Sequence, residues 1–328
     1  MEQSRYNNSD AEQQQLNPTD SESNSSSKSD SKSTTSTTEE QTKKKGAFPT
    51  WIDLLAILGI FLVGQFVAQV VISLMGFEVV SHEQISSVMM EVRRNLQFEM
   101  GRTTLFYSIL AQPLVLLLVI IYRQIRGGKW RLGFSVRGFN PTILLWGFIM
   151  LLSTVVVIEP LMQYLPESQA PVGRGIYMLI ALLIVAPIFE ELLCRGVILE
   201  AIRRKHGGWI ACVVSSLMFG VMHFEPQSIL NAFMIGLLLG YLYIRTNSIF
   251  APIIIHFLNN VMAYLYLVFG LSGTTLYSII GNKTIYSVVY GISVGVVILS
   301  VVAISQQVIY LDRKKKGQNG GENNKIWV

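Results

Sequence analysis

The feature that most restricts how this chain can fold is a series of about eight mainly apolar stretches, each close to the roughly 20 residues a helix needs to cross a bilayer. They lie near 51–75, 103–122, 142–164, 176–200, 208–224, 228–244, 248–269 and 284–309. Charged residues make up only 14% of the sequence, against 51% hydrophobic ones and a mean hydropathy of +0.44, and they crowd into the first fifty positions, the short connections and the tail. That segregation excludes an ordinary soluble domain and predicts an all-α polytopic membrane protein of about eight transmembrane helices. The fifth stretch is the least regular, because it runs into His223 and Glu225 before a turn at Pro226.

Residues 1–47 read as a disordered, solvated tail, since Ser, Thr, Gln, Asn, Glu and Lys dominate and no apolar periodicity is found. No basic start followed by an apolar core precedes Trp51, so the first span is expected to be retained rather than cleaved. Basic residues mark one side of the membrane: Lys43 to Lys45, Arg123 to Arg137, Arg203 to Lys205, Arg245, and Arg313 to Lys316. The positive-inside rule then places both termini in the cytoplasm, in keeping with an even number of spans, as a multi-pass protein of a prokaryotic plasma membrane. The connection at 76–102 mixes Arg93, Arg94 and Arg102 with Glu83, Glu91 and Glu99 and argues weakly the other way. A net charge of +5 thus reports topology and contact with anionic lipid, and nothing in it implies nucleic acid as a partner. The two cysteines, Cys194 and Cys212, fall inside predicted helices, which excludes a disulfide framework and favours buried, reduced packing.

Three polar clusters interrupt the later stretches. Ionisable groups in hydrocarbon cost several kcal/mol and are seldom kept without a partner or a role. Glu191 and Arg195 stand at i, i+4 and share a helix face, where they are expected to neutralise each other. Glu190 points about 100° away, toward a cavity, and Pro187 one turn earlier is expected to bend the helix. Phe219 and His223 share a face at i, i+4, with Gly220 between them allowing close helix approach, and His256 and Asn260 repeat the same spacing. A neutral imidazole accepts a proton, ligates a metal or donates to an oxyanion, so two histidines and an unpaired glutamate form a candidate catalytic set. Counting about 1.5 Å per residue from the basic borders puts Glu190, His223, His256 and Asn260 at depths of roughly 18, 24, 12 and 18 Å, compatible with one site. Gly236 and Gly240 form a small-xxx-small face for tight helix crossing, and Glu159 before Pro160 reads as an interfacial acid at a helix exit.

Glu-Glu-xxx-Arg, Phe-xxx-His and His-xxx-Asn, in this order on successive regions of a polytopic chain, resemble the CPBP intramembrane proteases, which include the type II CAAX prenyl endopeptidases and the bacterial Abi-type proteins. The resemblance covers roughly residues 175–270, a core between N-terminal transmembrane helices at 48–174 and a last helix with a basic tail at 271–328. It implies a helical fold around a water-filled cavity and cleavage of peptide bonds in membrane-associated proteins or peptides. By that resemblance Glu190 activates water with His223, His256 and Asn260 stabilise the oxyanion, and Glu191, Arg195 and Phe219 orient the helices. A mechanism without a cofactor is expected; a metal-dependent form would hold Zn²⁺ through Glu190, His223 and His256, although His-Glu-xx-His is absent. Two rival readings are a non-catalytic peptide-binding or immunity scaffold and an ion-coupled transporter, the latter weakened because the polar clusters have no second copy in the first half.

Overall fold

The computed structural model describes residues 48–77, 90–127, 133, 135–166, 172–271 and 273–323, with side chains as far as residue 316. The tail at 1–47 and the connection at 78–89 lie outside the described residues. Elsewhere every regular element is helical, as the hydropathy pattern requires. The helices are α1 (Trp51–Leu74), α2 (Met90–Ile125), α3 (Pro141–Met162), α4 (Ile176–His206), α5 (Gly208–Val221), α6 (Pro226–Thr246), α7 (Phe250–Val268), the short α8 (Leu276–Ile280) and α9 (Lys283–Asn323). Local chemistry sets several starts. Thr50 and Asp53 form a reciprocal capping box on α1, and Asn140 caps α3 through the Ile143 amide, with Pro141 at the first helical position.

Seven of these helices are long and apolar enough to cross a membrane. The fifth expected span is the exception: α5 has 14 residues, about 21 Å, against a hydrocarbon core of roughly 30 Å. It stops at a turn where Phe224 takes φ 62°, a left-handed conformation costly for a bulky residue, and Pro226 then opens α6. The second expected span is longer than read, because helix geometry runs back to Met90 through polar residues assigned to a connection.

Contacts between helix ends fix the alternation. At one end, buried Asp53 at the start of α1 accepts from Tyr122 (2.7 Å) and Arg126 (2.8 Å) at the end of α2. Lys205 at the end of α4 donates to the Pro49 carbonyl, Arg137 before α3 pairs with Asp312 of α9, and the rings of Phe139 and Phe250 meet there too. At the other end, the Arg174 amide before α4 donates to the Gln97 carbonyl of α2, Gln227 of α6 donates to the Met162 and Leu165 carbonyls, and Glu159 accepts from the Tyr277 amide of α8. Glu159, near the exit of α3, therefore caps the start of α8. Because α4 ends at the first end and α6 begins at the second, α5 must connect the two despite its length. The start of α1 and the C-terminal part of α9 consequently share one end of the bundle.

Glycines let α5 and α6 touch. A Cβ on Gly236 would lie 3.0 Å from Ser216 Cβ, one on Gly240 2.8 Å from Cys212 Sγ, and one on Gly220 2.8 Å from the Ile229 carbonyl. The small-xxx-small face thus packs α6 directly against α5, and both cysteines are free and buried.

Candidate active site

Helix α4 carries the acidic pair and is wound unusually around it. Ala181–Val185 and Leu192–Leu199 are π-helical, with the Ala186 amide reaching the Ala181 carbonyl and the Glu200 amide the Arg195 carbonyl, while Ala186–Glu191 between them is α-helical. Extra residues in wide turns loosen the carbonyl ladder, and side chains from other helices collect the loosened groups. Asn260 of α7 donates to the Leu182 carbonyl (2.8 Å), Ser215 of α5 to the Cys194 carbonyl (2.8 Å) and Arg123 of α2 to the Val197 carbonyl (3.1 Å).

Glu191 and Arg195 are fully buried, with side chains 0% exposed, and Arg195 Nη1 donates to Glu191 Oε1 at 2.7 Å. The same oxygen accepts from His256 Nδ1 at 2.9 Å, so α7 is pinned to α4 by a carboxylate that already holds a guanidinium. Arg195 Nη2 donates to the Gly236 carbonyl (2.9 Å), and the guanidinium carbon lies 4.9 Å from the centre of the Phe219 ring. Phe219 also meets the imidazoles of His223 and His256 edge-on, at centroid distances of 4.9 and 5.6 Å. Arg195 of α4, His223 in the turn after α5 and His256 of α7 therefore share one aromatic ring.

Glu190 turns away from that pair, as the 100° step between adjacent helical residues requires. Its side chain keeps 27% exposure and lines a cavity of about 150 Å³ together with Phe61, Gln65, Gln112, Cys194 and His223. Its Oε2 is 3.7 Å from His256 Nε2, so this imidazole stands between both carboxylates. His223 Nδ1 contacts the Phe219 carbonyl at 2.8 Å; a carbonyl only accepts, which makes Nδ1 the donor and leaves Nε2 with its lone pair. In His256 the Glu191 carboxylate likewise makes Nδ1 a donor, and Nε2 is turned toward Glu190.

The residues of the three polar clusters thus fall in one neighbourhood, arranged in two layers. Glu190 and His223 form the wall of the cavity; Glu191, Arg195, His256 and Phe219 form a buried network behind it; Asn260 joins the network to the widened turn of α4. Among the described residues no three His, Cys, Asp or Glu side chains gather in a way suited to a metal ion. Sequence reasoning passed over Gln65 and Gln112, although a glutamine inside an apolar span is the same kind of signal as a histidine there. It also passed over Asp53, whose partners lie 69 and 73 residues away.

The family comparison bears on the same segment. Residues 172–262 match the family described as type II CAAX prenyl endopeptidase Rce1-like. The chain is 35% identical over 83 residues to the protein named "Putative membrane peptidase YdiL" of Bacillus subtilis (strain 168), covering 25% of this chain and 34% of that one. It is 29% identical over 103 residues to an "Uncharacterized 24.3 kDa protein" of Escherichia coli, covering 30% of this chain and 47% of that one. The matched stretches therefore span between a third and a half of these relatives. No solved structure matches the chain. The match ends where the polar clusters end, so the resemblance read from Glu-Glu-xxx-Arg, Phe-xxx-His and His-xxx-Asn falls on the same segment: residues 172–262 are similar to the type II CAAX prenyl endopeptidase Rce1-like proteins, and the comparisons support the CPBP likeness.

Proposed function

We propose that this protein is an intramembrane endopeptidase that hydrolyses peptide bonds of membrane-associated proteins or peptides, with Glu190 as the base that activates water. The observation that carries this reading is that Glu190 and His223 share the wall of one cavity inside the bundle, with an available lone pair on His223 Nε2. A volume of about 150 Å³ admits water, which needs only about 10–15 Å³ by such a measure, together with part of a peptide.

In the proposed reaction Glu190, assisted by His223 Nε2, takes a proton from water as its oxygen bonds to the scissile carbonyl carbon. The carbonyl π electrons move to oxygen, and the resulting oxyanion is met by His256 Nε2–H in its imidazolium form and by the Asn260 amide hydrogen not used on Leu182. Collapse re-forms the carbonyl and breaks the C–N bond, while the proton held by Glu190 passes to the leaving nitrogen. Glu191 is unsuited to the role of base because its side chain is fully buried behind the cavity wall and held by Arg195 and His256. A Zn²⁺-dependent form would use Glu190, His223 and His256, and no step above is routed through a metal. The cytoplasmic placement of the basic end is part of the same proposal and follows from the positive-inside rule.

The test is cleavage of a membrane-partitioning fluorogenic peptide library by purified protein in bilayer discs, with and without excess chelator. Glu190→Gln is expected to abolish cleavage with unchanged unfolding behaviour, and wild-type cleavage is expected to survive chelation. Cleavage by Glu190→Gln at near wild-type rate would overturn the assignment; loss to chelator with restoration by zinc would select the metal-dependent form.

A further inference from the structure

The lining of the cavity that holds Glu190 and His223 also draws on α1 and α2, outside the segment that matches the family model, and it includes two amides, Gln65 and Gln112. Gly64 brings these helices together: a Cβ there would lie 2.5 Å from Val115 Cγ2, so only glycine lets α1 sit this close to the stretch of α2 that carries Gln112. The two amides are left in complementary states. Tyr107 Oη donates to Gln65 Oε1 at 2.6 Å, which occupies the oxygen and leaves the Gln65 NH₂ to donate. Gln112 Oε1 is buried without a hydrogen-bond partner among the described residues, and it is an acceptor. An orphaned buried acceptor costs about 1–3 kcal/mol and calls for a donor that arrives from elsewhere.

The geometry points to Gln65 and Gln112 as a substrate subsite that hydrogen-bonds the main chain of an extended peptide, Gln65 donating to a peptide carbonyl and Gln112 accepting from a peptide N–H. This assignment rests on the endopeptidase reading and adds the substrate's conformation to it. A helical segment in a bilayer keeps its amides internally bonded and has no N–H to offer, whereas an unwound segment must find partners for its backbone inside the protein. The pair thus favours locally unwound substrate and is indifferent to side chains at the bonded positions. The remaining lining, Phe61, Phe189, Leu193 and Met222, is apolar and suits the side chains that project between them.

The experiment pairs Gln112→Met, which keeps length and removes the acceptor, with a set of peptides in which one backbone N–H at a time, away from the scissile bond, is replaced by an ester oxygen. The expected result is a fall of about tenfold in kcat/KM for Gln112→Met on the all-amide peptide, an equal fall for wild type on one ester peptide, and no further fall when the two are combined. Unfolding in detergent reports whether Gln112→Met alters the fold. Wild-type rates for Gln112→Met, or losses that multiply at every ester position, overturn the subsite while leaving the protease reading in place. Cleavage that does not depend on Glu190, or no cleavage by wild type, overturns the protease reading and the subsite with it.

Discussion

Replacing Glu191 by Ala removes one acceptor that holds two helices. In the folded chain its Oε1 takes Arg195 Nη1 at 2.7 Å and His256 Nδ1 at 2.9 Å, with carboxylate and guanidinium both shut off from solvent. Truncation leaves a buried guanidinium whose remaining contacts are the Gly236 carbonyl and the Phe219 ring, and an imidazole N–H with no acceptor. Breaking a buried ion pair from one side costs about 3–5 kcal/mol, and an orphaned buried donor about 1–3 kcal/mol. The two effects share one carboxylate and overlap, so the expected loss is about 4–6 kcal/mol, a large part of the roughly 5–15 kcal/mol that keeps a typical protein folded. Removing the stranded charge as well, in Glu191→Ala/Arg195→Met, is expected to recover about 2–3 kcal/mol, because most of the single-variant cost is the unpaired guanidinium. Graded unfolding in mixed micelles, with the yield of membrane-inserted protein alongside, measures both. A double variant no more stable than Glu191→Ala, or a single variant within about 0.5 kcal/mol of wild type, would refute the reasoning.

Two further substitutions separate chemistry from scaffold. His223→Asn places an amide donor where Nδ1 meets the Phe219 carbonyl but removes the Nε2 lone pair, so cleavage is expected to fall at least a hundredfold while thermal unfolding moves little; retained activity would remove His223 from the mechanism. Gly220→Ala sets a methyl 2.8 Å from the Ile229 backbone oxygen, which cannot swing aside as a side chain does, and is expected to cost about 1–3 kcal/mol in the same unfolding measurement.

Helical spacing made part of this site readable from the sequence. The i, i+4 interval gave the pairing of Glu191 with Arg195 and the contrary direction of Glu190, because both follow from the 3.6-residue turn alone. The polar residues of α4, α5 and α7 stood out against hydrocarbon-like surroundings for the same elementary reason. Periodicity carries no information about contacts between distant helices, so the bond from His256 to Glu191, 65 residues apart, became visible only in the fold. The wide turns at Ala181–Val185 and Leu192–Leu199 were hidden as well: an added residue in a turn leaves the composition unchanged. The length of α5 was misjudged because the apolar run continues to Met222, while the chain turns where Phe224 takes φ 62°. Asp53 drew no notice in the sequence, although it ties α1 to α2, because its partners lie 69 and 73 residues away.

The Phe219 ring is touched by Arg195, His223 and His256. A benzene ring neither gives nor takes a proton, so it is a mechanical joint and not a conductor between the side chains it touches. The wire between the cavity wall and the buried carboxylate is the other ring, His256, whose Nε2 faces Glu190 while its Nδ1 is bonded to Glu191. Wall and anchor are thus coupled through one imidazole, and a change of charge at Glu190 is felt by the pair that holds the helices together.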